Sequence, residues 1–464
     1  MLKAGAGRSD ITPPVGIAHA GWGAQTHQVS EGNDMPLYVT ALALSNGNLQ
    51  VAIVDIDIAI LTNAQDAEMR ELITQRTGIP QDNIRISYSH THSAPVTFGE
   101  WLTEGMELVE QWLLELPGAA ADAVAQAIEA QVPAVPSFGV GECDMNINRR
   151  PADDAGNLFT GRNWEGFVDR AVEVVGLDDL DGNPLATLVN YACHPTIMGH
   201  LNKWVTPDFP GPMRRVVEQT VGGTCLFLQG ASGNQGPVDG FTGDLRVYRR
   251  AGAALGAEAS RVRLQMDPYE RKERLVEILV SGADLGIYED VAVSEPDDAL
   301  AVSWVEVDLP ARDVLSLDEA QAEYDRLAKE LGAVRASGVP DDEVQAAVSR
   351  VMRANILLNV SRNVERVRKG DVVPLRIQAI RIGGAVLVTM PVEPFAELGA
   401  QIKERSVAAN TVFSGFSNGH YAYLPTTSAY EEGGYEVRVT PFAPGSDDLA
   451  VEACLEAIET VWTR

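Results

Sequence analysis

Apolar, strand-like runs alternate with helix-like segments through the first half of this 464-residue chain. The clearest unit is an apolar run at residues 51–60, followed by a helix-like segment at 63–77 that ends at Gly78. Two further runs, at 185–193 and 224–228, are long enough for one buried strand each. Strands interleaved with helices indicate a mixed or parallel sheet. The sequence therefore predicts an α/β fold, with a mixed β-sheet core flanked by helices.

The second half of the chain contains a charged, helix-like stretch at about residues 312–368. Ser316 and Glu319 have the spacing of a capping box, Gly332 supplies a stop, and a second helix-like segment follows. This pattern predicts an inserted helical hairpin whose charges form a solvated face. We expect residues 1–464 to form a single domain that carries this insertion.

Two other elements can be read from local signals. A helix-like segment begins near Met106 and is predicted to break at Pro117 before it resumes. Residues 375–382 and 385–390 are strand-like runs separated by two glycines, which predicts a β-hairpin. The second strand of this hairpin leads directly to Glu393.

Composition limits the partners and the location of the chain. The 65 acidic residues exceed the 36 basic ones and give a formal charge of -29, which argues against a nucleic-acid partner and against docking on anionic membranes. There is no apolar run of the ~18 residues that a membrane span needs, the N-terminus lacks the apolar core of a signal peptide, and the four cysteines are scattered. We therefore expect an acidic, cytoplasmic protein without integral membrane association, and the oligomeric state stays open.

Four strand-like runs share one appearance, because each ends at a polar residue beside glycine or proline. They end at residues 89–95, 190–195, 230–237 and 390–394. In α/β sheets, ligands and catalytic groups collect in the loops at the carboxyl ends of strands. We therefore expect the functional site among these four segments.

Histidines and a glutamate at these strand ends are candidate metal ligands. His90 and His92, two of only seven histidines, stand two residues apart, so a continuing strand would put both imidazoles on one face. His194 and Glu393 end two other runs. Two histidines and a glutamate from three strand ends match a catalytic zinc site with one position open for water. Each also has a structural alternative, since a strand-end histidine is often a buried imidazole and a glutamate can cap a helix or form an ion pair.

Two other features carry less chemistry. The spaced glycines at 230–237 lack the Lys-Ser/Thr pair of a phosphate-binding loop, so we expect a tight turn there. The remaining histidines lie in loop-like, glycine-rich or polar surroundings, and we expect them at the surface or at a pocket edge: His19, His27, His200 and His420.

These segments, in this order, resemble the N-terminal catalytic domain of the neutral/alkaline ceramidase family. Residues 89–95, Ser-His-Thr-His-Ser-Ala-Pro, are similar to that family's Thr-His-Thr-His-Ser-Gly-Pro box. The likeness covers nearly the whole chain and leaves out only the stretch near 312–368. Similar segments occur in the family's order at residues 9–16, 36–38, 148–149, 192–194, 206–211, 232–237, 392–398, 418–426 and 429–436.

The resemblance implies a specific set of site residues. It implies one Zn²⁺ ion held by four side chains: His90, His194, Glu393 and Tyr423. It places three catalytic side chains near the substrate carbonyl: His92, Arg149 and Tyr435. The tyrosine ligand is the most open assignment, because Tyr421 and Tyr430 lie close by. The family's 12-residue step between its two active-site tyrosines fits Tyr423 and Tyr435 best.

The implied activity is that of a zinc-dependent amidase, a hydrolase acting on linear amide C–N bonds. Zinc lowers the pKa of its bound water to ~7, so that hydroxide can attack an amide carbonyl at neutral pH. The metal, a tyrosine hydroxyl and a cationic side chain would stabilise the oxyanion, and His92 would pass a proton to the leaving amine. Gly236 stands where the family has a serine, which excludes a serine nucleophile at that point.

Other departures from the family bear on the substrate. We expect the C-terminal Ig-like domain of ceramidases to be absent, and we expect a very acidic, cytoplasmic enzyme to extract a lipid from an anionic leaflet poorly. We therefore expect the substrate to be an N-acyl amide, lipid-like or smaller and more soluble than ceramide. Three alternatives stay open: a zinc-dependent esterase or lactonase on the same scaffold, a binuclear amidohydrolase, and a non-catalytic binding protein.

Overall fold

The computed structural model describes residues 1–19, 21–22, 24–25, 27–97 and 102–463, with the side chains of residues 341, 342 and 345 left aside. Within these ranges, none of the helices has both the length and the hydropathy needed to cross a bilayer.

Strands and helices are numbered in chain order. The strands are β1 (Lys3–Asp10), β2 (Gly32–Asn33), β3 (Tyr38–Ser45), β4 (Gln50–Ile56), β5 (Ile84–Tyr88), β6 (Val132–Glu142), β7 (Asn146–Asn148), β8 (Ala171–Asp179), β9 (Pro184–Tyr191), β10 (Trp204–Val205), β11 (Thr224–Gln229), β12 (Gln235–Pro237), β13 (Arg271–Leu279), β14 (Leu285–Ala292), β15 (Leu300–Pro310), β16 (Val372–Ile382), β17 (Ala385–Thr389), β18 (Glu393–Pro394), β19 (Asn410–Ser414) and β20 (Tyr423–Leu424). The helices are α1 (Asn63–Thr77), α2 (Met106–Glu129), α3 (Pro210–Thr220), α4 (Leu245–Arg263), α5 (Leu317–Ala336), α6 (Asp341–Val367), α7 (Ala396–Arg405), α8 (Ala429–Glu432), α9 (Tyr435–Val439) and α10 (Ser446–Trp462).

Two sheets form the framework. The larger has eight strands in the order β11-β9-β8-β6-β1-β3-β4-β5, and the smaller has four in the order β15-β16-β17-β19. Three neighbouring pairs are parallel, namely β4 with β5, β9 with β11 and β17 with β19, whereas the remaining pairs of these sheets are antiparallel. The mixed-sheet α/β prediction is therefore confirmed.

The alternation of apolar side chains on β4 shows how the layers form. Val51 and Ile53 point into a core shared with side chains of the smaller sheet, such as Ile380 and Leu387. Val54, by contrast, packs in a second core with side chains of α1 and α2. Helices α3 and α4 cover another part of the larger sheet, and α7 and α10 cover the outer face of the smaller one. The strands are thus buried on both faces between two helical layers, as continuous apolar runs require.

Local signals placed several elements correctly. Helix α1 spans the predicted residues 63–77, with a Thr62 capping box and Gly78 in the left-handed region at φ 76°. The predicted glycine hairpin is confirmed as β16 and β17, with Gly383 at φ 57°. The charged stretch forms the antiparallel helices α5 and α6, and Ser316 makes the predicted capping box.

Two predicted helix boundaries are wrong. Helix α2 continues through Pro117, because Trp112, Leu116 and Ala120 are buried on both sides of it and their packing offsets the ~3 kcal/mol cost of an interior proline. Helix α5 continues past Gly332 to Ala336, since an interior glycine costs only about 1 kcal/mol.

A buried ion cluster joins α3 to the larger sheet. The Arg214 guanidinium donates to Asp55 at 3.1 Å and to Asp57 at 2.5 Å. The Asp55 carboxylate also accepts from the backbone N–H of Phe227 on β11 at 3.1 Å, so strands at opposite ends of the sheet order approach each other. This cluster links α3, the end of β4 and β11 through buried polar contacts.

Candidate metal centre

His90 reaches the site through a turn rather than along a strand. Strand β5 ends at Tyr88, and His90 has a φ of 64°. The expectation that a continuing strand aligns both imidazoles is therefore wrong, because the backbone leaves the strand conformation first. The turn is held by the His90 N–H, which donates to the carbonyl of Ile58 at 2.9 Å. A non-glycine residue in this region is uncommon and is found where the surroundings impose it.

Two histidines have their tautomers fixed by backbone carbonyls. Nδ1 of His90 lies 2.7 Å from the carbonyl oxygen of Ala59, and Nδ1 of His194 lies 2.7 Å from that of Ser232. A carbonyl oxygen can only accept, so Nδ1 carries the proton in both rings. Nε2 is then left with a free lone pair, which is the arrangement of metal-binding histidines.

Glu393 and Tyr423 are brought side by side by a short parallel pair, β18 with β20. Oε1 of Glu393 lies 3.0 Å from Nε2 of His420. Oε2 faces the other two imidazoles, at 3.4 Å from Nε2 of His194 and 3.6 Å from Nε2 of His90. The Tyr423 hydroxyl lies 3.5 Å from Nε2 of His194. Four donor atoms from four separate segments therefore converge.

The spacing of these atoms fits zinc. Four ligands held tetrahedrally at 2.0–2.2 Å from an ion lie about 3.3–3.6 Å from one another, and the three separations above fall in that interval. Glu393 Oε2 and His92 Nε2 are both buried without a hydrogen-bond partner among the described residues. Buried polar atoms of this kind need a compensating partner. A cation beside Glu393 Oε2 would be such a partner for that atom.

His92 also contributes to the cluster. Ligand nitrogens of His90, His92 and His194 all lie within 4.8 Å of one another. The ring of His92 is 5.1 Å from that of Trp22, centroid to centroid. The structure therefore places the predicted proton donor beside two of the predicted ligands.

Electrostatics favour the protonation states that a metal needs. Burial, together with the neighbouring imidazoles, holds the pKa of His90 well below its ordinary value and lowers that of His92 to about 3. The pKa of His194 is also lowered, by burial and then by Arg149. Burial opposes the ionisation of Glu393, yet nearby histidines together hold its pKa well below the usual range. At neutral pH the site thus offers neutral imidazoles and a carboxylate.

Arg149 and Arg150 form a hydrogen-bonded network with Glu436 beside the cluster. Arg149 donates to the Tyr423 hydroxyl at 3.0 Å and to Glu436 at 3.0 Å. Glu436 also accepts from Arg150 at 2.7 Å. Burial opposes the charge of Arg149, but Tyr423 and Glu436 raise its pKa above the ordinary value. The ring of Tyr435 lies 5.8 Å from that of Tyr423 and is 42% exposed, which places it at the solvent side of the network.

One known protein family matches this chain. A family profile described as neutral/alkaline non-lysosomal ceramidase, N-terminal, matches residues 2–242, more than half of the chain. The chain belongs to this family. The resemblance found in the sequence is therefore confirmed.

Curated relatives include two neutral ceramidases. The one from Drosophila melanogaster is 28% identical over 233 residues, which are 47% of this chain and 32% of the relative. Neutral ceramidase B of Dictyostelium discoideum is 27% identical over 187 residues, 39% of this chain and 26% of the relative. The match thus spans about a third or less of the length of these relatives.

Solved ceramidase structures share the fold of this chain. The crystal structure of neutral ceramidase from Pseudomonas aeruginosa aligns with a TM-score of 0.67 at 19% identity, covering 99% of this chain and 75% of that one. A ceramidase complexed with C2 aligns with the same TM-score of 0.67 at 17% identity, covering 100% and 75%. At these low identities, the likeness shows that the chain has the ceramidase fold. It does not assign roles to individual residues.

Sequence reasoning missed two members of the candidate centre. His420, expected at the surface or a pocket edge, lies against the carboxylate of Glu393. Glu436 holds Arg149 and Arg150. Their positions within the family-like segments 418–426 and 429–436 were the signal that could have marked them. His19, also expected at the surface or a pocket edge, is fully buried, with Nε2 3.1 Å from the carbonyl oxygen of Trp204.

A small cavity borders the candidate centre, and a larger one lies elsewhere. A cavity of about 10 Å³, room for roughly one water, lies beside His92 and is bordered by Ala94 and Thr91. A larger cavity, of about 600 Å³, runs along the start of β15 and is lined by residues such as Trp304 and Asp82, with no histidine among its described walls. The donor set, and not the larger cavity, therefore defines the candidate centre.

Proposed function

We propose that this chain is a zinc-dependent amidase that hydrolyses an N-acyl amide. The observation that carries the proposal is the convergence of the His90, His194, Glu393 and Tyr423 donor atoms at the edge lengths of a zinc tetrahedron. Membership of the ceramidase family supports amide-bond hydrolysis as the reaction class.

The residues around the donor set have roles that follow from their positions. A zinc ion held there would supply a Lewis acid that activates water at neutral pH. The charged Arg149, fixed by Glu436, and the hydroxyl of Tyr435 would stabilise negative charge on the carbonyl oxygen. His92, whose ring nitrogen lies within 4.8 Å of those of His90 and His194, would pass a proton to the leaving amine.

For the substrate, we propose an amide smaller or more soluble than ceramide. The relatives are named ceramidases, and their name denotes a membrane lipid as substrate. This chain has a formal charge of -29, which repels an anionic leaflet over roughly the Debye length of 8–10 Å. A soluble N-acyl amide reaches the site without that repulsion.

Metal analysis combined with a substrate panel tests the function. The purified protein should contain one zinc ion per chain, lose amidase activity on chelation and recover it with zinc. N-acyl amides and the matching esters, each varied in acyl-chain length, would define the reaction and the substrate. Turnover of esters with no amide hydrolysed would replace the proposal with the esterase or lactonase alternative. Absence of bound zinc, with activity unaffected by chelators, would overturn it.

A ligand variant and a matched histidine variant sharpen the test. His90→Ala should abolish zinc binding, whereas His200→Ala changes a half-buried histidine that is not in the donor set and should retain the zinc. Equal zinc content in both variants would contradict the site assignment. Full zinc content in an inactive wild-type protein would favour the non-catalytic alternative.

The binuclear amidohydrolase alternative does not fit the fold. That class uses a barrel of eight parallel strands, whereas the described sheets are mixed and largely antiparallel. A cytoplasmic location and a single domain over residues 1–464 remain proposals, which cell fractionation and limited proteolysis would test.

A further inference from the structure

The two carboxylate oxygens of Glu393 have different neighbours. Oε2 faces Nε2 of His90 and Nε2 of His194 and has no hydrogen-bond partner among the described residues. Oε1 lies 3.0 Å from Nε2 of His420. An ionised carboxylate can only accept a hydrogen bond, so Nε2 of His420 carries the proton and donates to Oε1. One oxygen is therefore already occupied, and the other is left for a cation.

The backbone of His420 is held by helix α1. Its N–H donates to Oδ1 of Asn63, the first residue of α1, at 2.7 Å. Gly419 precedes it at a φ of 111°, and a Cβ atom there would lie only 2.8 Å from the same Asn63 oxygen, so the position requires glycine. The N–H of Glu393, in turn, donates to the carbonyl of Ala422 at 2.9 Å. Main-chain contacts thus fix His420 and Glu393 relative to each other.

His420 acts on the site through Glu393 and not as one of the clustered ligands. The imidazoles whose ligand nitrogens lie within 4.8 Å of one another are those of His90, His92 and His194, and His420 is outside this group. The His420 side chain is 14% exposed and that of Glu393 6% exposed. Hydrogen bonds to an ionised group are stronger than those between neutral groups. The contact therefore restrains the rotation of the buried carboxylate.

We propose that His420 is a positioning residue, which occupies Oε1 of Glu393 so that the carboxylate presents Oε2 alone to a metal ion. This inference rests on the proposed function. Zinc in proteins takes four ligands and expands to five during reaction. If both oxygens of Glu393 bound the ion, the four predicted ligand side chains would supply five donor atoms and leave no position for water. Removal of His420 should therefore lower turnover while the metal is retained.

Two substitutions at His420 test this role. His420→Leu removes the donor, whereas His420→Gln keeps an N–H donor on a side chain that can reach Oε1. We expect His420→Leu to retain one zinc ion per chain while kcat for an N-acyl amide falls about 10- to 100-fold. His420→Gln should stay within about threefold of the wild type. His200→Leu, at a half-buried histidine outside the donor set, is the control and should change neither quantity. If His420→Leu does not fold, His420→Phe, which keeps a ring without a donor, replaces it.

Azide binding to the cobalt(II)-loaded protein tests the open position without a substrate. Azide binds a metal ion only where a coordination position is free, and the visible absorption of cobalt(II) reports the change. We expect the azide dissociation constant of His420→Leu to be at least about tenfold higher than that of the wild type, with His420→Gln close to the wild type.

The outcomes separate this inference from the proposed function. A wild-type protein that binds metal and azide but hydrolyses no amide would overturn the amidase proposal alone, because the azide comparison still measures the effect of His420. Equal azide affinity and equal kcat in the wild type and His420→Leu would overturn the positioning role alone. Loss of zinc from His420→Leu would also overturn it, since His420 would then support metal binding itself. A wild-type protein that binds no metal would overturn both.

Discussion

The metal centre buries polar side chains, whereas the arm, the ribbon of β13 and β14 at residues 271–292, exposes apolar ones. At the centre, charged and polar groups are buried, and Glu393 lies between His420 and two imidazoles with its Oε2 atom lacking a hydrogen-bond partner among the described residues. In the arm, apolar groups such as Val280 stand in solvent. Both cost free energy in the isolated chain, since buried charge and exposed apolar surface are each unfavourable. We propose that a cation completes the first region, whereas the second leaves apolar surface that the described residues do not cover.

The largest expected effect is at Glu393. Glu393→Gln keeps the shape and removes the charge that faces His90 and His194, so we expect zinc occupancy to fall at least about tenfold and amidase activity about 100-fold or more. Metal content and initial rates measure both. Glu397→Gln is the matched control, because this carboxylate four residues on accepts from Asn234 and faces no histidine of the cluster. If both variants lose zinc equally, the loss reflects general damage and the centre is misassigned.

A second substitution tests the buried ion cluster of Arg214, Asp55 and Asp57. Arg214→Met leaves Asp55 and Asp57 buried without their cation, and we expect the free energy of unfolding to fall by about 3–5 kcal/mol. Urea unfolding measures the change. Arg215→Met alters the exposed neighbour and should stay within about 0.5 kcal/mol of the wild type. A fall of under about 1 kcal/mol for Arg214→Met would show that the cluster contributes little to stability.

A third substitution separates positioning from metal binding. Glu436→Gln weakens the hold on Arg149 and Arg150, and we expect kcat to fall about 10- to 100-fold while zinc content is unchanged, because a misplaced cation stabilises the oxyanion less well. Glu432→Gln, at a carboxylate that contacts only Arg150 of this pair and is largely exposed, should alter kcat less than threefold. Zinc loss in Glu436→Gln would instead make this residue part of the metal support.

The smallest effect is expected from the arm. Ile278→Thr with Tyr288→Thr should change amidase activity less than twofold and the stability of the monomer by less than about 0.5 kcal/mol, because both side chains are exposed. Rates and unfolding curves of the variant and of the wild type give the comparison. A substantial loss of activity in the variant would show that the arm supports the centre and would remove the contrast between the two regions.

Several features of the fold could be predicted because their signals are local. The Thr62 cap and Gly78 define α1, and the paired glycines between β16 and β17 define a hairpin, since capping and turn geometry depend on a few neighbouring residues. Pro117 shows the limit, because packing on both sides of it outweighed the local preference for a break. The arm had no comparable signal, since its charged and apolar residues follow no simple period.

For the site, the sequence alone identified His90, His194 and Glu393 as strand-end residues, and the resemblance to ceramidases added Tyr423. Only the tertiary structure brought a donor atom of each residue to within 3.4–3.6 Å of a donor atom of another. These residues lie too far apart in the sequence for a local pattern to predict their contact. It likewise decided the left-handed turn at His90 and the hold of Glu436 on Arg149. Local chemistry determines where a helix or turn begins, whereas the convergence of distant donors depends on how two sheets and their loops pack.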